Sequence, residues 1–158
     1  MKKEIKTNVM RLLDAKGISY KPYFYECKEF IDGISIANEL GQPHELVYKT
    51  LVTKGKGNTY FVFVIPIEAE LDMKKAAKAV NEKALEMLPL KNLTAVTGYI
   101  RGGCTAIGMK KQFPTIIDES ASCLEQMIVS GGKVGIQLEV SPKDWKEIAV
   151  AEFAHVIK

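Results

Sequence analysis

A chain of 158 residues, 47% hydrophobic and 26% charged, predicts one cytosolic domain over residues 1–158, because it has no membrane-length apolar run and no signal-peptide stretch. Three widely spaced cysteines exclude a disulfide framework, and only two histidines argue against a histidine-rich metal site. The net charge of +3 permits contact with nucleic acid without requiring it, since strongly basic nucleic-acid binders carry more positive charge.

In the first half of the chain, helical and strand periodicities follow one another with capping and turn residues between them. Thr7 and Asp72 are N-cap types that stand directly before helical patterns, and Pro22 indicates an edge strand because proline cannot donate to a neighbouring strand. In chain order the predicted elements are a helix capped by Thr7 and ended by Gly17, a strand over 18–25, a helix over 34–40 ended by Gly41, a hairpin of strands 46–53 and 59–67, and helices over 73–80 and 82–87.

The second half of the chain is predicted to be richer in strands. Strand patterns cover, in chain order, residues 115–118, 126–129 and 134–140. The small residues 130–133 predict a turn between the last two strands. Ser141, followed by proline and an acid, indicates the start of a final helix, whose apolar stripe runs from Trp145 to Phe153. The mixture predicts an α+β fold with a mixed, largely antiparallel sheet.

The most unusual stretch is residues 98–111, where four glycines, Arg101, Cys104 and two lysines occur within fourteen residues. Glycine this dense suits backbone that turns sharply or approaches another group closely. The stretch is therefore either a tight structural turn or a substrate loop whose backbone N–H groups face a ligand. Arg101 is either a bidentate ligand for phosphate or carboxylate or a partner in a surface ion pair. Cys104 has no recognisable activating base, which favours a small buried residue over a nucleophile.

Lys49 is the most informative single residue, because it lies in the middle of a predicted strand between Val47 and Leu51. If that face is buried, the ammonium must find partners or line a cavity, where it could stabilise phosphate or a developing oxyanion. If the face is exposed, Lys49 is an ordinary surface lysine. Seven further lysines form either a basic surface for a nucleic-acid backbone or faces that are simply solvated. They are Lys54, Lys56, Lys74, Lys75, Lys78, Lys110 and Lys111.

Five ordered blocks give the chain a resemblance to a known family. They are Val47–Leu51, Leu71–Lys78, Gly98–Gly103, Pro114–Asp118 and Val129–Lys133. On these blocks the chain resembles the YbaK family of free-standing Cys-tRNA(Pro) deacylases, which is related to the editing domain of bacterial prolyl-tRNA synthetase. The resemblance runs over nearly the whole length and implies a barrel-like sheet flanked by helices. It implies hydrolysis of the ester that joins a wrong amino acid to tRNA(Pro), with the tRNA acceptor end as partner and prolyl-tRNA synthetase as a second candidate partner.

The resemblance also implies how such a site would work. Neither a metal nor a cofactor is expected, because the thiol of the bound cysteinyl group would attack its own ester carbonyl and leave as a cyclic thiolactone. The protein would position the ester and stabilise charge. Lys49 is the expected catalytic residue, and the expected substrate-binding residues are Tyr20, Thr50, Arg101, Gly102, Gly103, Thr105, Ser130, Gly131 and Gly132.

Two departures from the family pattern bear on amino-acid preference. Thr105 and Ala106 stand where close relatives have serine and proline, and Gln137 stands where some relatives carry an acid. Hydrolysis of alanyl or seryl esters is therefore an alternative, since a small apolar pocket discriminates such side chains only weakly. A non-catalytic module that binds the tRNA acceptor end or the synthetase, using the same lysines, is the alternative from another class.

Overall fold

The computed structural model describes residues 6–26 and 33–158. The helices are α1 (Asn8–Ala15), α2 (Gly33–Leu40), α3 (Met73–Ala79), α4 (Leu93–Thr97) and α5 (Pro142–Ile148). The strands are β1 (Lys21–Phe24), β2 (Tyr48–Lys54), β3 (Tyr60–Pro66), β4 (Glu86–Met87), β5 (Thr115–Asp118), β6 (Met127–Ser130), β7 (Ile136–Val140) and β8 (Ala151–Ala154). None of the helices in the described ranges is long and apolar enough to cross a membrane.

The strands form two sheets. One has three antiparallel strands in the order β1-β7-β6, and the other has five strands in the order β4-β2-β3-β5-β8. The pairs β3–β5 and β5–β8 are parallel, whereas β2 pairs antiparallel with both β3 and β4. A bridge between Val47 and Ile128 links the two sheets. The predicted mixed α+β fold is confirmed, with a barrel-like arrangement that does not close.

The main core lies between the two sheets. Val62 and Val64 of β3 face Val129 and Leu138 of the three-stranded sheet, and Trp145 of α5 is fully buried in the same cluster. Alternate residues of β3 point to the other face, where a second cluster packs against α3. The nearly continuous apolar character of β3 follows from this burial on both faces.

A third, small cluster places α2 over the junction of the sheets. Ala37 of α2 packs with Val47, Ile67 and Ile128, and Gly33 at the start of α2 lies against Ile67. The helix ends at the predicted glycine: the N–H of Gly41 donates to the carbonyl of Asn38, and the N–H of Gln42 donates to that of Ala37. This pair of bonds is a Schellman motif, and Gly41 supplies the positive φ of 66° that the motif requires.

Several local predictions are confirmed. The Thr7 hydroxyl accepts a hydrogen bond from the N–H of Met10 and caps α1, and the Asp72 carboxylate accepts two from the first turn of α3. The strand with Pro22 is an edge strand, β1. The predicted hairpin is β2–β3.

Two element predictions are wrong. Residues 82–87 do not form a helix, because Glu86 and Met87 pair with β2 as the strand β4. The final helix ends at Ile148 because Val150 has a positive φ of 52°, so that Phe153 lies in β8 opposite Ile117. The first miss arises from strand pairing between residues distant in sequence, and the second from a left-handed conformation at a β-branched residue, which sequence rarely indicates.

Candidate functional site

A cleft of about 450 Å³ opens where α2, the start of β2 and the loop 98–104 meet. We call it the central cleft. Ile34 and Ile36 of α2 form one wall, and Ser130 and Gln137 of the three-stranded sheet lie on another. Its apolar walls with a few convergent polar groups are typical of a small-molecule site.

Strand β2 brings Lys49 and Thr50 to this cleft. In the β2–β3 ladder, Lys49 lies opposite Ile65 and Thr50 lies opposite Val64. On its other side, β2 pairs with β4 only at Thr53 and Lys54. The first part of β2 therefore borders the cleft instead of being covered by β4.

The Lys49 ammonium is half-buried in the cleft. It forms no hydrogen bond or ion pair with any residue that the structure describes. Burial lowers the pKa of Lys49 by removing water from its charged form, and the carboxylate of Glu70 opposes this shift. A partly desolvated cation of this kind can bind an anionic group or stabilise developing negative charge.

The loop 98–104 is held by hydrogen bonds around Tyr99. The Tyr99 hydroxyl donates to the carbonyl of Ile107 at 2.5 Å, its N–H donates to the Thr97 hydroxyl, and its carbonyl accepts from the hydroxyl of Thr94. Burial raises the pKa of Tyr99 to about 12, so the phenol stays protonated. The loop is therefore both a tight turn and a wall of the cleft, since Arg101 and Gly102 line it.

Cys104 lines the cleft as a neutral thiol. Burial raises its pKa to about 12, against a smaller lowering effect from the Thr97 side chain. A thiol that stays protonated is a poor nucleophile. Neither histidine lines this cleft: His44 contacts Glu68 and Asn38, and His155 contacts Lys75.

Five of the residues expected from sequence line the central cleft, namely Lys49, Thr50, Arg101, Gly102 and Ser130. Tyr20 lies elsewhere, on a separate cavity with Met10, Asp14 and Phe24. Cys27, the first cysteine of the chain, lies outside the described residues. Within the described ranges, no group of three or more histidine, cysteine, aspartate or glutamate side chains could hold a metal ion.

The other four expected residues pack behind the cleft lining. A Cβ atom on Gly103 would lie 3.2 Å from the backbone nitrogen of Val134, and one on Gly131 would lie 2.7 Å from Cγ2 of Ile136. Gly132 approaches Val9 of α1 in the same way. Thr105 is completely buried, and its hydroxyl has no hydrogen-bond partner in the described structure. These residues support the loops instead of lining the cleft.

Sequence reasoning missed the wall made by α2 and the residue Gln42. Gln42 contacts Gln137 across 95 positions of sequence, through a hydrogen bond of 2.7 Å from Gln42 Nε2 to Gln137 Oε1. Gln137 had stood out only as a departure from the family pattern. An amphipathic pattern could have indicated that α2 buries one face, but not that this face borders a cleft.

Comparisons with known proteins agree on one family. Residues 34–148 match the family described as the aminoacyl-tRNA editing domain. A protein of Enterococcus faecalis, provisionally named Cys-tRNA(Pro)/Cys-tRNA(Cys) deacylase EbsC, is 45% identical over 156 residues, which cover 98% of this chain and 95% of that protein.

Solved structures share the fold at low sequence identity. The hypothetical protein APE2540 matches with a TM-score of 0.86 and 20% identity, over 95% of this chain and 99% of that one. A structure described provisionally as a trans-editing enzyme for prolyl-tRNA synthetase matches with a TM-score of 0.82 and 20% identity, over 96% of this chain and 98% of that one.

Proposed function

The chain belongs to the aminoacyl-tRNA editing domain family, and from this premise we propose that it is a trans-editing deacylase that hydrolyses the aminoacyl ester of mischarged Cys-tRNA(Pro). The substrate proposal draws on the 45% identity with EbsC, whose name includes Cys-tRNA(Pro). The acceptor end of the tRNA would enter the central cleft. Prolyl-tRNA synthetase, the enzyme that would produce the mischarged tRNA, is a second candidate partner.

The observation that carries the proposal is the position of Lys49. Its ammonium is half-buried in a cleft that Thr50 and Ser130 also line, and both of these residues carry groups that can donate hydrogen bonds. An aminoacyl ester develops negative charge on its carbonyl oxygen when it is attacked. A preorganised cation in a partly desolvated cleft stabilises such charge more strongly than water does.

The proposed nucleophile is the thiol of the substrate. Its sulfur attacks the ester carbonyl carbon, the bond from that carbon to the ribose oxygen breaks, and the thiol proton ends on the ribose hydroxyl. The first products are a cyclic thiolactone and the uncharged tRNA; water then opens the thiolactone to cysteine, so that the net reaction is hydrolysis of the ester. The protonated, buried Cys104 is consistent with this route, because the cleft then needs no nucleophile of its own.

Arg101 is proposed to contact the tRNA backbone. It is exposed at the edge of the cleft, next to Gly102. A guanidinium at this position can bind a phosphate of the acceptor end in bidentate fashion while the ester reaches Lys49. The chain's modest net charge of +3 predicts that tRNA binding without the synthetase is weak and sensitive to salt.

Incubation of the purified protein with tRNA(Pro) charged with cysteine, alanine or serine, followed by measurement of ester loss, tests the function. We expect rapid loss of the cysteinyl ester and slow loss of the other two, because only cysteine carries a thiol that can attack. Faster loss of the alanyl or seryl ester would reassign the substrate. Binding of all three tRNAs without turnover would mean that the protein is a binding module and not an enzyme.

A further inference from the structure

Gln42 and Gln137 form a buried amide pair at the wall of the central cleft. They are 8% and 7% exposed, and Gln42 Nε2 donates to Gln137 Oε1 at 2.7 Å. The backbone of Gln42 is fixed by the Schellman motif that ends α2, and Gln137 is fixed in β7 between β1 and β6. Both side chains are thus anchored by regular structure on opposite sides of the contact.

The orientation of the pair follows from the cost of unsatisfied polar groups. Gln42 Oε1 is buried and has no hydrogen-bond partner in the described structure. In the alternative orientation, with the oxygen and nitrogen of both side-chain amides exchanged, the buried group without a partner would be the N–H₂ group of Gln42. A buried carbonyl is left unpaired more often than a buried N–H group, which favours the observed orientation. The carbonyl of Gln137 is therefore held by Gln42, and its N–H₂ group is left to the cleft that Gln137 lines.

We propose that Gln137 donates a hydrogen bond from its amide to the carbonyl oxygen of the bound aminoacyl ester, and that Gln42 is a positioning residue that fixes the orientation of that amide. The proposal rests on the proposed function, since it names the substrate group that this wall of the cleft recognises. A carboxylate at position 137 could not donate in this way, and it would attract the substrate ammonium group instead. The amide pair thus selects an ester oxygen where an acid would select an amine.

Methionine variants remove these hydrogen bonds at nearly constant volume. Loss of one hydrogen bond to the substrate predicts that Gln137→Met lowers kcat/KM for Cys-tRNA(Pro) roughly tenfold. Gln42→Met should give a smaller loss, and the double variant should resemble Gln137→Met, because Gln42 acts only through Gln137. Gln112→Met is the matched control: Gln112 Nε2 donates to the carbonyl of Ala149, outside the cleft, and its loss should leave kcat/KM unchanged.

The Gln137→Glu variant tests the hydrogen bond through the pH dependence of activity, which would not change if Gln137 had a purely structural role. Its carboxylate can still accept from Gln42 but repels an ester oxygen, so kcat/KM should fall more than in Gln137→Met. At low pH the protonated acid regains an O–H donor, so the activity ratio of variant to wild type should rise as pH falls. A ratio that does not change with pH, or additive losses in the two methionine variants, would overturn the proposal.

Binding of an amide-linked cysteinyl-adenosine analogue, which cannot be hydrolysed as an ester, separates this inference from the proposed function. Weaker binding by Gln137→Met, with an unchanged melting temperature, supports the hydrogen bond even if the wild type hydrolyses no charged tRNA. Equal binding by the wild type and every glutamine variant refutes it, even if the wild type is an active deacylase.

Discussion

Replacing Lys49 by methionine should lower kcat/KM for hydrolysis of Cys-tRNA(Pro) by about 10²- to 10³-fold, the loss typical of removing one group that stabilises an oxyanion. The half-buried ammonium forms no ion pair within the described structure, so its removal breaks no contact that holds the fold together. The melting temperature should therefore change little. Single-turnover ester loss and a thermal melt of the same preparation check both parts.

Lys56→Met is the matched control. Lys56 is exposed in the turn of the β2–β3 hairpin, at the end of β2 away from Lys49. The same loss of charge there should leave deacylation within about twofold, since exposed charges away from the site are screened. Equal losses in the two variants would mean that Lys49 acts only through the overall charge of the protein.

The pH profile gives the Lys49 prediction a second readout. Burial lowers the pKa of Lys49, so its ammonium loses its proton below the usual lysine range near 10.4. Activity that depends on the ammonium is present below this pKa and is lost as pH rises through it. Lys49→Arg should move the alkaline limb to higher pH, after subtraction of spontaneous ester hydrolysis. An alkaline decline of activity at the same pH in Lys49→Arg and the wild type would contradict the assignment of that decline to Lys49.

Gly132→Ala should lower the free energy of unfolding by about 2–5 kcal/mol. A left-handed conformation costs an L-residue roughly 1–2 kcal/mol, and overpacking adds roughly 1–3 kcal/mol. Gly132 has a φ of 92°, and its added Cβ would lie 2.6 Å from Cγ2 of Val9 in α1. The methyl group would therefore push the turn 130–132 away from α1.

Gly57→Ala isolates the steric part of that loss. Gly57 has a φ of 69°, but nothing lies within 4 Å of its added Cβ. Urea unfolding of the two variants should show that Gly132→Ala is the more destabilised. Equal free energies of unfolding would show that the Val9 contact relaxes without cost, and that the turn is not held by α1.

Sequence predicted the elements that depend on local chemistry. Caps at Thr7 and Asp72, the glycine that ends α2, and the alternation of the β2–β3 hairpin are each specified within a few residues. The strand β4 was missed because it is defined by pairing with β2, which lies far away in sequence, and the end of α5 was missed because Val150 adopts a left-handed conformation that β-branched residues rarely adopt. Local signals contain neither feature.

The site was only partly predictable for a related reason. Lys49 and the loop with Arg101 stood out because a cation within a strand and dense glycines are locally unusual. The α2 wall and the Gln42–Gln137 contact depend on how two sheets meet, which joins residues 95 positions apart. Gly131 and Gly132 stood out too, but the structure reveals that they lie against Ile136 and Val9, away from the cleft lining.

In the proposed reaction the thiol of the substrate, and not that of the protein, attacks the ester. The most direct test of this step compares the hydrolysis of cysteinyl-tRNA(Pro) and S-methylcysteinyl-tRNA(Pro) by the wild type and by Cys104→Ala. We expect both proteins to hydrolyse the cysteinyl ester and neither to hydrolyse the methylated one appreciably. Equal hydrolysis of both esters by the wild type, or loss of activity in a stable Cys104→Ala variant, would contradict this step.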